Sequence, residues 1–339
     1  MPSKAKVMAS ILENELKLAL VLFFCVSLLL SEKLLIVYSG PTSTECISMQ
    51  RNMTVNYHQN FEYFLAYGLP RTPEDERLVD IIIVLTDETH KMYAEAISRI
   101  EYLHPSTKFV IRQNRCYDLE SVRTGLRNAQ LYDYDSFIIM NCGLMGPFLP
   151  YEQSDFWAFQ FTNMLSERTK LVGLSINCDT SREFLKPHVQ SMLWATDALG
   201  LRLILEQGCI YDCGIDGELP FVELLKLIER YEVGLSTVIL AQDFDIKATN
   251  FAQSFILSNS TRFSIQDPFC NRNVWFPEQG IGFGHSSVPV GLGFWKTSAP
   301  IPSMNTGLYH AYNTSINYMM RHFPWSEPWQ KHHIKPCRE

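Results

Sequence analysis

The chain has 339 residues, a formal net charge of -7 and 46% hydrophobic residues. That length allows one large domain or two small ones, and the apolar content excludes disorder as the main state. The acidic balance, with no block of lysine and arginine, argues against nucleic acid as a partner.

The chain opens with Lys4 and Lys6 ahead of an uncharged run from Leu18 to Leu30, LALVLFFCVSLLL. Basic residues before an apolar run are the pattern of a signal peptide or a signal anchor. The SEKLL that follows offers no small-x-small cleavage site. A transmembrane signal anchor is therefore expected over 16–31, after a cytoplasmic tail over 1–15, with the lysines holding that tail inside. The expectation is a single-pass type II membrane protein of the Golgi or ER lumen; secretion after signal cleavage is the alternative. Sequons at Asn52, Asn259 and Asn313 agree with a lumenal chain.

Cys25 lies in the apolar run, and the other cysteines are Cys46, Cys116, Cys142, Cys178, Cys209, Cys213, Cys270 and Cys337. An even set outside the run is compatible with disulfides in an oxidising compartment. Cys209 and Cys213 form the expected local pair. No second Cys/His pair stands at zinc-ligand spacing.

After the run, strands are predicted over 34–40, 79–87, 107–114, the apolar stretch ending at Asn141, and 169–177. Helices are predicted over 57–69, 90–104, 119–130 and near 155–168. This alternation predicts an α/β domain over 34–339, built on a mostly parallel sheet with helices on both faces. Ligands of such sheets bind beyond the carboxyl ends of the strands. Those ends are Thr86-Asp87, Gln113-Asn114, Asn141-Cys142 and Asn177. Residues 221–230 form an amphipathic helix, and from about 250 glycine, proline and aromatics predict short strands and loops. There is no Gly-rich loop with Gly-Lys-Ser/Thr, no His-Glu-x-x-His and no Gly-x-Ser-x-Gly.

Asn141, Gly146-Pro147-Phe148, Lys170-Leu171-Val172-Gly173, His188-Val189-Gln190-Ser191, Asp197 and Glu232-Val233-Gly234-Leu235-Ser236 follow one another in that order. In this set the chain resembles a poorly characterised eukaryotic and bacterial family of glycosyltransferase-like proteins with GT-A-like architecture. The resemblance covers roughly 34–300. Near the end Pro289 and Phe294-Trp295-Lys296-Thr297 fit the family pattern, while Gly291 stands where the family has an acidic residue. The resemblance implies transfer of a sugar from a nucleotide-sugar donor to a hydroxyl of a glycan or protein acceptor. A non-catalytic glycan- or protein-binding relative is the alternative.

On that reading Glu232 is the candidate general base, and His188 and Asp197 are further catalytic candidates. His188 is an acceptor contact or a core histidine; Asp197 orients the acceptor or caps a helix. Asn114, Asp118, Asn141, Gly143, Gly146 and Lys296 are candidates for holding the donor, with Asp118 alternatively capping the helix that follows it. Asn141, Cys142 and Gly143 supply no acidic pair for a divalent metal. Asp133 and Asp135 begin the same strand, about 20 Å away at strand rise. No metal ligand is therefore named. Donor binding is expected to depend weakly or not at all on a divalent metal, and no cofactor beyond the donor substrate is expected.

Overall fold

The computed structural model describes residues 32–42, 48–50, 53–55, 57–148, 156–174, 176–177, 186–216, 219–248, 255–257 and 293–296. The anchor expected over 16–31, the three sequon asparagines and Pro289 and Gly291 lie outside them. None of the described helices is long and apolar enough to cross a membrane.

The strands are β1 Leu34–Ser39, β2 Ser48–Gln50, β3 Met53–Val55, β4 Val79–Thr86, β5 Thr107–Arg112, β6 Ser136–Asn141, β7 Leu144–Phe148, β8 Thr169–Gly173, β9 Ile176–Asn177, β10 His188–Val189, β11 Leu193–Asp197, β12 Asp245–Ala248, β13 Phe255–Leu257 and β14 Gly293–Lys296. The helices are α1 Tyr57–Tyr67, α2 Pro73–Leu78, α3 Asp87–Met92, α4 Ala94–Leu103, α5 Tyr117–Arg127, α6 Phe159–Thr162, α7 Ala198–Glu206, α8 Phe221–Leu227 and α9 Gly234–Ala241. A wider π-helical turn, Ile228–Val233, joins α8 to α9.

Eight strands form one sheet in the order β13-β12-β8-β11-β6-β1-β4-β5. β6, β1, β4 and β5 are mutually parallel, and β11 runs against both its neighbours. The molecule is thus a mixed α/β fold on a mostly parallel central sheet flanked by helices.

Alternation along the strands builds two cores. Ile36, Tyr38, Ile81, Ile83, Ile138 and Met140 face α1 and α4 through Phe61, Phe64, Ile97 and Ile100. Leu35, Val37, Ile82, Val84, Phe137 and Ile139 face α5, α7 and α9 through Val122, Leu126, Ile204, Leu235 and Ile239. Strands sandwiched between two such layers need apolar side chains on both sides, which is why VDIIIVLT and SFIIM read as nearly continuous apolar runs. Gly125 lets α5 lie against β1: a Cβ there would sit 2.4 Å from Val37 Cγ1.

Several expectations are corrected. Residues 90–104 make two helices, with Tyr93 between them, and the helix near 155–168 shrinks to α6. The strand at 169–177 stops at Gly173 and resumes as β9. Gly146-Pro147-Phe148 lies in β7, so the turn is the shorter Cys142–Gly143. β11 was hidden in 188–201, because five residues carry no sign of strand direction.

The expected Cys209–Cys213 pair does not form. Cys213 is bonded to Cys116, with Cα atoms 6.1 Å apart. Main-chain pairing of Arg115 with Asp216 brings the two segments together. Ion pairs from Asp212 to Arg115 and Arg123 do the same. Cys209 is a buried free thiol beneath Gly234, and burial pushes it up to about 11.

Candidate functional site

Because β1, β4, β5 and β6 run in register, their carboxyl ends Ser39, Thr86, Arg112 and Asn141 lie at one edge of the sheet. A cavity of about 340 Å³ opens there. Its polar wall is Ser39, Gly40, Arg112, Asp118, Asn141, Cys142, Gly143, Ser191 and Glu232. Tyr57, Tyr117, Met192, Leu224, Leu227, Ile228 and Tyr231 make the rest. Polar groups from several segments converge there on a concave wall of mixed polar and apolar residues, as a small-molecule site requires.

Asn141 ends β6 with both polar ends of its amide engaged. Its Oδ1 accepts from Gly143 N at 3.0 Å, and its Nδ2 donates to Asp118 Oδ2 at 2.9 Å. Asp118 sits in the first turn of α5, half-buried in the cavity wall. Burial raises its pKa above the ordinary carboxylate value. The Asn141 hydrogen bond opposes this, the charge of Glu232 adds to it, and Arg112 opposes it more weakly.

The backbone leading to Asp118 is unusual. Cys116 and Tyr117 have φ of 55° and 50°, the left-handed region that side chains other than glycine adopt rarely. The Cys116–Cys213 bond fixes this corner, so two consecutive left-handed residues turn the chain from β5 into α5.

Glu232 comes from the π-helical turn, which also supplies Ile228 and Tyr231 to the cavity. Behind it stands His188, almost fully buried, with Nε2 3.9 Å from Glu232 Oε1 and Nδ1 2.6 Å from Lys186 O. His188 is set by the β9–β10 pairing opposite Asn177, and Val189 N donates to Ser236 Oγ of α9 at 2.9 Å. Tyr231, fully buried, accepts from Trp194 Nε1 at 3.4 Å. Burial and the charges of Asp118 and Glu232 raise its phenol well above its ordinary value.

The structure therefore brings together Asp118, Asn141, Gly143 and Glu232, with His188 directly behind. It separates the others. Asp197 pairs across the sheet with Ser136, the first residue of β6, about 17 Å along the strand from Asn141. There it caps α7, accepting from Gly200 N at 2.8 Å, and binds Lys170 Nζ at 2.5 Å. Asp197 thus does not join the catalytic candidates in the cavity. Asn114 is exposed and does not line the cavity; the side chain of that strand end that does is Arg112, two residues earlier. Gly146 is buried in β7, away from the lining. The backbone of Lys296 pairs with Leu144, next to Gly143, and its side chain lies outside the described part.

Arg112 is the residue the sequence reading missed. It is buried, and Nη1 donates to Gln113 O at 2.8 Å. The strand-end rule pointed to it, but the expected end of β5 lay two residues too far on.

Among the described residues, one group resembles a metal-ligand set: Cys116, Glu120 and Asp212. Cys116 is in the disulfide, and both carboxylates already face Arg115 and Arg123. That group does not fit a metal.

No family model matches the chain, and no curated protein matches it. Among solved structures it is similar to a chain from Bacillus anthracis named as a glucose-1-phosphate thymidylyltransferase and solved with sucrose. The TM-score is 0.35 at 12% identity, over 69% of this chain and 92% of that one. A likeness so distant carries no statement about fold or activity.

Proposed function

We propose that the cavity at the carboxyl edge of the sheet is the site of a glycosyl transfer, with a GT-A-like domain using a nucleotide-sugar donor and a hydroxyl acceptor. One observation carries this reading. Asp118, Asn141 and Glu232, from three separate segments, converge with Arg112 in one cavity where a parallel sheet binds ligands.

In this reading the acceptor O–H gives its proton to Glu232 as its oxygen bonds the anomeric carbon. The bond from that carbon to the nucleoside diphosphate breaks, and the leaving group takes the electron pair. Arg112 offsets the charge that develops there. Asp118 accepts a hydrogen bond from the donor, and the Cys142–Gly143 turn gives close backbone approach. His188 backs Glu232. No metal ligand is assigned, and donor binding depends weakly or not at all on a divalent metal. The chain is anchored by 16–31 in the membrane of the Golgi or ER, with the domain in the lumen. The Cys116–Cys213 disulfide supports an oxidising compartment.

A second reading is favoured by charge: one arginine faces two carboxylates in the cavity, a poor balance for a diphosphate. It makes the protein a glycan- or protein-binding relative without turnover. Thermal shift of the chain with UDP and with GDP, each with manganese and with EDTA, separates the two. Stabilisation by a nucleotide supports transfer. No shift with either nucleotide in either condition sinks it.

A further inference from the structure

Asn141 stands where a strand ending in an acidic residue would offer a metal ligand, and its surroundings explain the amide. Gly143 N–H needs an acceptor, so the carbonyl side of Asn141 must face it. The NH₂ is thereby turned toward Asp118 Oδ2, 2.9 Å away, and an NH₂ can only donate. Asp118 is thus held as an acceptor in the cavity wall. A carboxylate at 141 would keep the bond to Gly143 and set a second negative charge against Asp118. A Cβ on Gly143 would lie 2.9 Å from Asn141 Oδ1, so a side chain there would push the amide from this position.

We propose that Asn141 is a positioning residue that acts through Asp118, holding that carboxylate as an acceptor at the cavity wall so that the bound ligand meets it with hydroxyl or amino donors. This rests on the reading of the cavity as the ligand site. Asn141 donates to the charged form of Asp118, which favours ionisation. Burial and Glu232 oppose it, and Arg112 assists it. The other titratable groups of the wall, Tyr57, Tyr117, Cys142 and Tyr231, belong to α1, α5, the turn after β6 and the π-helical turn. They are the same in every variant below, as is Glu232 with His188 behind it.

The test is thermal unfolding of the full chain in detergent at pH 4 and pH 8, for wild type, Asn141→Ala, Asp118→Asn and the double variant. Asn141→Ala removes a bond made to ionised Asp118, so its Tm loss is expected to be roughly 2–4 °C larger at pH 8 than at pH 4. In the Asp118→Asn background that pH dependence is expected to vanish. If Asn141→Ala does not fold, Asn141→Asp takes its place, with the same direction from like-charge repulsion. A Tm loss equal at both pH values, or equal in both backgrounds, means that Asn141 only packs, and overturns the proposal. UDP binding is measured in parallel, with about a 10-fold weakening expected for Asp118→Asn. Unchanged UDP affinity in that variant overturns the ligand-facing role. A wild type that binds no UDP counts against glycosyl transfer and leaves the unfolding result to decide the role of Asn141.

Discussion

The imidazole of His188 is held at both edges: Nδ1 lies 2.6 Å from Lys186 O, and Nε2 lies 3.9 Å from Glu232 Oε1. A carbonyl only accepts, so Nδ1 carries the hydrogen there and Nε2 is the nitrogen that faces the carboxylate. At 3.9 Å the two groups face each other without a direct hydrogen bond. Glu232→Gln removes the proton acceptor and keeps the size. Turnover is expected to fall about 100-fold or more, with UDP affinity within about 3-fold of wild type. His188→Gln on top of Glu232→Gln is expected to add little, because paired groups are not additive. Steady-state kinetics on the four proteins measure this, and wild-type turnover in Glu232→Gln would remove the base from the mechanism.

Asp118 gives a pH signature of its own. Its folded pKa is raised, first by burial, so the folded chain holds this proton more tightly than the unfolded chain. Stability from that source is complete below the ordinary carboxylate pKa and is lost as pH rises through the folded value. Asp118→Asn cannot ionise, and its oxygen still accepts from Asn141. The variant is expected to have a higher Tm than wild type at pH 7, a gain that shrinks to nothing near pH 4. A gain that is constant across that range would contradict the raised pKa.

Cys116→Ser opens a cross-link between residues 97 apart in sequence. A loop of that length is worth about 2–5 kcal/mol in the chain-entropy account, or roughly 5–15 °C in Tm for a domain of this size. The same variant frees the left-handed Cys116–Tyr117 corner that leads to Asp118. UDP affinity is therefore expected to fall with it, and to fall again in wild type treated with a thiol reductant. Calorimetry and binding in the presence and absence of that reductant check both.

Asp197→Ala tests the separation of stability from chemistry. It removes the cap of α7, worth about 0.5–2 kcal/mol. It also leaves buried Lys170 without its carboxylate. A loss of about 2–4 kcal/mol is expected from chemical unfolding, with UDP affinity unchanged. A selective loss of binding or turnover at unchanged stability would return Asp197 to the site.

These cases show why the sequence was readable in some places and opaque in others. VDIIIVLT and SFIIM announce buried parallel strands, because two covering layers leave no polar face. Asn141 was found by the same reasoning, since it ends such a strand. Its partner Asp118 was a candidate, but the hydrogen bond between them closes only when β5 and β6 flank β1 and β4, a long-range fact. His188 and Glu232 meet through the two-residue pairing of β9 with β10 and a π-helical turn, and neither leaves a periodic trace. Asp197 read equally well as cap or catalyst, because both roles ask for a carboxylate before an apolar helix. Arg112 was missed by two residues, within the usual uncertainty of a strand end.

The late place of β11 in the chain has a consequence for synthesis. β6 hydrogen-bonds to β1 on one side and to β11 on the other. When Asn141 leaves the ribosome, β1, β4, β5 and β6 are all available, but Leu193 is still to come. At about 5–20 residues per second, a nascent chain waits roughly 3–10 s with the edge of SFIIM unpaired. An apolar edge strand left open for seconds is where two chains join wrongly. A strand that is central in the finished sheet is thus an open edge while the protein is being made, and a chaperone that acts on this chain would have work in the interval between Asn141 and Leu193.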